Sequence, residues 1–92
     1  MTQQYIAGQF SLLLAELQPV SGVWRRRVDA LRSDVEHAPL ARLPDLAFEA
    51  MALTDRICWT ALERGDMGDF CGVATTAVAL ADFAVNAGLV PE

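Results

Sequence analysis

From Asp45 to Arg64 the chain runs twenty residues without proline or glycine, DLAFEAMALTDRICWTALER, before Gly65 ends the run. A helix is the element that uses such a stretch whole, and the order of its side chains decides what else the chain must supply. At about 100° per residue, Leu46, Ala50, Leu53, Ile57 and Ala61 fall on one ridge, with Ala47, Met51, Cys58 and Leu62 beside it. That stripe is a core face. Asp45, Glu49, Arg56 and Glu63 gather opposite it as a solvent face, but Phe48, Ala52 and Trp59 lie between the polar strip and the far edge of the core. This second apolar ridge needs cover from other helices of the chain or from another chain.

The remaining sequence supplies three more helices and no strand, since no segment alternates polar and apolar residues. The first is expected over 3–18, capped by Thr2, with Ile6, Phe10, Leu13, Leu14 and Leu17 inward. Tyr5 and Leu12 share a line on its other side, and Gln18-Pro19 stops it because Pro19 cannot donate to the preceding turn. The second, over 21–37, has Ser21 as cap and Trp24, Val28, Leu31 and Val35 at steps of 4, 3 and 4. Arg25, Asp29, Arg32 and Glu36 follow at the same steps as a solvated ridge of alternating charge. Leu40 and Leu43 in the connector APLARLP are placed to tuck against the core.

The long helix is expected over 45–64 and the fourth over 69–87, with Asp69 as its cap and Gly88 as its stop. On the fourth, Ala74, Ala77, Ala81 and Ala84 make a smooth strip flanked by Phe70, Val73, Leu80 and Phe83. Thr75, Ala79, Asp82 and Asn86 are left outward. Helices three and four are therefore expected to be the buried pair. Short connections throughout predict an all-α fold, a small antiparallel four-helix bundle formed by 1–92 as a single helical domain.

Composition narrows the function classes. Ninety-two residues hold one small core, worth roughly 5 to 14 kcal/mol. A hydrophobic fraction of 53% and mean hydropathy of +0.27 are high for so short a chain, which points to apolar surface shared with another chain. Fifteen alanines account for part of that excess. A net charge of −5 argues against direct nucleic-acid binding, which uses a basic surface to displace counterions. All seven basic residues are arginine; residues 1–42 carry five of them and four acids, net +1, and residues 43–92 carry two and eight acids, net −6. Cys58 and Cys71 lie in apolar helical patterns with no CxxC, so free buried thiols and a cytoplasmic setting are expected. Asp82, Asn86, Thr75 and Thr76 interrupt the apolar run 70–90, and no membrane span is expected there.

Catalytic and cofactor signatures are sparse. The lone histidine, His37, stands at the end of helix two, where its charged form suits the helix dipole. No Glu-x-x-His pair, phosphate loop or nucleophile elbow is present, so no metal or cofactor is expected. Short acidic helical chains include the acyl carriers, but Ser33 follows Arg32 and precedes Asp34 inside a helix, without the Asp-Ser-hydrophobic order at a helix start. Arg32-Ser-Asp-Val-Glu-His37 resembles the Arg-x4-His pattern of the HEPN ribonucleases, small all-α proteins. That two-residue resemblance implies phosphodiester cleavage by Arg32 and His37 as the alternative function.

The reading that the residues favour is a non-enzymatic protein-binding module, expected to be a homodimer and to act as a regulator, adaptor or inhibitor of a larger partner. Its expected contact surface is Phe48, Ala52 and Trp59 with Asp55 and Arg56 at the edge, extended by Tyr5 and Leu12. An acidic surface of Glu63, Asp66 and Asp69 would suit an inhibitor that occupies a basic site on its target.

Overall fold

A computed structural model of the chain describes residues 3–17 and 22–90. The expected periodicities resolve into α1 (Gln3–Ala15), α2 (Gly22–His37), a 3-10 turn (Leu40–Arg42), α3 (Leu43–Arg64) and α4 (Met67–Asn86), with no strand among the described residues. Thr2, Ser21 and the Gln18-Pro19 stop lie outside those residues. Helix α1 closes at Ala15, short of the expected Gln18, because its last turn tightens. The Glu16 N–H bonds Leu13 O at 3.2 Å and the Leu17 N–H bonds Leu14 O at 3.0 Å.

Helix α3 begins two residues earlier than the sequence suggested. Pro44 sits in its first turn, where a missing N–H costs nothing, and Leu43 is fully buried. Leu40, by contrast, stays exposed. At the other end Gly65 adopts a left-handed φ of 73°. Its N–H reaches Leu62 O at 3.1 Å, and the Asp66 N–H reaches Ala61 O at 2.9 Å, which satisfies the last carbonyls of the helix. The cap of α4 is Asp66 and not Asp69: the Asp69 N–H donates to Asp66 Oδ1 at 3.1 Å. The sequence holds two acids three residues apart in this turn, and the two-residue connection selects the first. Gly88, also at φ 73°, follows the end of α4 as expected, with the Leu89 N–H bonded to Ala84 O at 2.8 Å.

The helices pack in cyclic order, α1 on α2, α2 on α3, α3 on α4 and α4 on α1, with α3–α4 the most extensive pair and α1–α2 the next. The result is the small four-helix bundle. Its centre holds Phe10 and Leu14 of α1, Val28 and Val35 of α2, Leu46 and Ile57 of α3 and Leu80 of α4. Phe10 and Phe83 close the ring of helices edge to face, with centroids 5.8 Å apart and planes at 64°. Extents of 40 × 27 × 16 Å make the bundle flat, so the outward sides of α3 and α4 receive little cover.

This flatness corrects two expectations. On α4 the buried ridge is Val73, Thr76, Leu80 and Ala84; Ala81, expected inside, is exposed with Val78. A helix rich in alanine presents similar small side chains in several directions, so the bulkier Val73 and Leu80 decide which side turns in. Nor are both thiols buried. Cys58 is half-buried and Cys71 exposed, and both are free.

Candidate functional site

The side of α3 that faces away from α2 carries Met51, Cys58 and Leu62, placed beside the core ridge by the sequence pattern. Here they form one wall of an open groove. Phe70, Ala74 and Ala77 of α4 form the other wall, Thr54 lies at its base, and Asp55 and Trp59 stand at its edge. The space is about 470 Å³. Its floor is apolar because the polar groups near it are spent locally: Thr54 Oγ1 donates to Met51 O at 2.8 Å and Thr76 Oγ1 to Gly72 O at 3.3 Å. Among the described residues no buried side-chain nitrogen or oxygen lacks a partner.

The exposed arc continues beyond the groove on both helices. At about 100° per residue Phe48 and Trp59 extend it on α3, and Met67, Val78, Ala81 and Val85 extend it on α4. Phe48 is 56% exposed, Trp59 59% and Val78 65%. Among the described residues Asp55 is the one charged side chain lining the groove. Burial and, secondarily, the negative charge of Asp55 push the Cys58 thiol above its ordinary value.

The seven residues expected at a contact surface are all exposed, and six of them border three grooves. Asp55 and Trp59 belong to the α3–α4 groove. Ala52 and Arg56 line a second groove, between α2 and α3, with Arg27, Asp34 and Glu49. Phe48 stands between the two on the outer ridge of α3. Tyr5 and Leu12 line a third groove, between α1 and α2, with Gln9, Ser11, Arg32 and Glu36. The sequence pattern assigns the groove residues Met51, Cys58, Leu62, Phe70, Ala74 and Ala77 to core-facing sides of their helices and not to a contact surface. A signal existed, however: Phe70, Ala74, Val78, Ala81 and Val85 recur at steps of 4, 4, 3 and 4, a second apolar ridge on α4 matching that of α3.

Arg32 and His37 diverge. Five residues apart, they point about 140° from one another around α2. Arg32 Nε donates to Ser11 Oγ at 3.3 Å, and Ser11 Oγ donates to Glu36 Oε1 at 2.8 Å, which ties α1 to α2. The His37 ring pairs through Nδ1 with Ser33 O of its own helix at 2.8 Å. In α2 three arginines stand in a row, Arg25, Arg26 and Arg27, and Arg27 lies over the Trp24 ring, 5.5 Å from its centroid. No three His, Cys, Asp or Glu side chains gather as a metal site among the described residues. Helix α4, twenty residues with a hydropathy of 1.4, is long and apolar enough by length and composition to cross a membrane; in this fold it packs on α3 and α1.

Compared with protein-family models, with curated proteins and with solved structures, the chain finds no match.

Proposed function

We propose that this chain is a non-enzymatic protein-binding module, a regulator, adaptor or inhibitor that covers its α3–α4 face with another chain. The observation that carries this reading is the open apolar groove with Trp59 at its edge. Contiguous apolar surface of this kind on a small domain is a common mark of a contact site, and aromatic residues at such sites often carry much of the binding energy. The other chain is a larger partner or a second copy. The separation of Arg32 from His37, each bonded elsewhere, supports a binding role over a ribonuclease role for that pair.

Trp59→Ser tests the reading. Light scattering after size exclusion, together with capture experiments from the native host, compares parent and variant at equal helicity and melting temperature. The module reading expects the variant to stay folded and to lose its association. Parent and variant with the same mass and the same captured proteins would refute it.

A further inference from the structure

The charges around the α3–α4 groove distinguish between its possible occupants. Asp55 stands at the middle of the α3 wall, Glu63 borders the same arc, and Asp82 borders the α4 side; all three are exposed. The arginine nearest in sequence, Arg56, is about 100° away from Asp55 and lines the α2–α3 groove instead. The only other arginine of residues 43–92, Arg64, lines the space beside Trp24 with Asp66 and Asp69. Among the described residues the groove itself is thus lined by one charge, Asp55, and at the outer edges of the apolar face Glu63 and Asp82 are joined by Arg56, which leaves three acids against one cation.

A second copy is poorly matched to such a face. In a two-fold pairing the same patch meets itself, so a face with three acids and one arginine would be set against an identical excess of acids as water is excluded. Like charges without partners in a drying interface are costly. A head-to-tail contact, which could bring the arginines of α2 to the groove, closes only where its rotation completes a ring and otherwise grows into filaments. An anionic membrane surface repels the same rim.

Resting on the reading of this face as a protein-binding surface, we infer that its occupant is an amphipathic helix of a different protein, apolar along one stripe and flanked by arginine or lysine. The stripe fills the groove between Met51, Leu62, Phe70 and Ala74, and a cation near its midpoint meets Asp55. Arginine suits that position best, because its planar fork pairs with a carboxylate at two points and is weakly hydrated. The α3 arc from Phe48 to Leu62 runs ~21 Å at 1.5 Å per residue, so the occupant needs about four turns. This is helix-in-groove recognition with a charge requirement.

The test uses the full chain and two designed 16-residue helical peptides with one leucine stripe, flanked by arginine in the first and by glutamate in the second. Calorimetric titration is expected to give at least ten-fold tighter binding of the arginine peptide. Asp55→Asn should remove most of that difference and Trp59→Ser should abolish binding, whereas Asp29→Asn on α2 should leave it unchanged. Equal affinity for the two peptides, or an equal loss from Asp29→Asn and Asp55→Asn, would overturn the inference in favour of unspecific attraction. Failure of both peptides to bind overturns it too. A dimeric mass that Trp59→Ser converts to monomer would uphold the binding surface while refuting the basic helix. Sedimentation with zwitterionic or anionic phospholipid vesicles, lost in Trp59→Ser, would replace it with a lipid surface. If the module reading itself is wrong, neither peptides nor host proteins distinguish parent from Trp59→Ser.

Discussion

Two of the three grooves described on this small bundle, α1–α2 and α3–α4, are similar in size, and they differ in what their walls do with polar atoms. The α1–α2 groove, about 430 Å³, is crossed by the chain of bonds from Arg32 to Ser11 to Glu36, so its polar groups are engaged by the fold itself. The α3–α4 groove, about 470 Å³, has threonines bonded to their own helix and apolar walls that nothing covers. Volume does not separate the two. The first has its polar groups committed to holding helices together, and the second leaves apolar area that gains by leaving water.

The largest expected effect sharpens the background to that contrast. Phe10→Ala removes a ring that is 1% exposed and touches Phe83, and should cost ~3 to 5 kcal/mol, enough to unfold much of a marginal domain in a urea melt. Ser11→Ala removes the hydroxyl between Arg32 and Glu36. A loss of about 1 kcal/mol in the same melt is expected, with no change in association; a loss of association would move the contact site to the α1–α2 groove. Leu12→Ser serves the same comparison, since Leu12 belongs to that groove and should leave both mass and melting unchanged. Trp59→Ser should change stability by less than about 0.5 kcal/mol because the ring is largely exposed, while eliminating association.

The smallest effect is chemical. Exposed Cys71 should be alkylated by iodoacetamide well before Cys58, as peptide mass spectrometry at pH 8 would show. Asp55→Asn should speed Cys58 by removing a charge that raises its pKa. The linkage sign follows. With its pKa raised in the fold, the Cys58 thiol keeps its proton at pH values where the thiol of the unfolded chain already ionises, so between the two pKa values it is the unfolded state that gains. Relative to pH 7, stability therefore falls as pH climbs through about 9 toward the raised value.

Much of the fold was legible because turns and helices are specified locally. The ridge of Leu46, Ala50, Leu53, Ile57 and Ala61 is buried as its spacing requires, and Gly65 and Gly88 stop their helices. The choice of Asp66 over Asp69 as cap was not legible, since both are good caps and only the path of the turn separates them. The exposure of Phe48 and Trp59 is a tertiary matter: sequence identifies a second apolar ridge but not whether a neighbouring helix reaches it. In the flat arrangement of four helices none covers it, which also turns Met51, Cys58 and Leu62 from expected core neighbours into groove walls. Tyr5 and Leu12 were apolar and off-face like Trp59, yet periodicity along α1 carries no information about which other helix lies beside them.

The edge contact of Phe10 with Phe83 joins the first helix to the last, across nearly the whole length of the chain. The hairpins α1–α2 and α3–α4 bring together residues close in sequence, and such pairs form quickly, whereas joining the two ends requires closing a long loop against its entropy. The ring pair should then appear after the rate-limiting barrier. A milder lesion at this point, Phe10→Leu, is expected to act mainly on the rate at which the molecule opens, leaving the refolding limb of its chevron near that of the parent. How long the native state persists would thus be governed by two aromatic rings at opposite ends of the sequence.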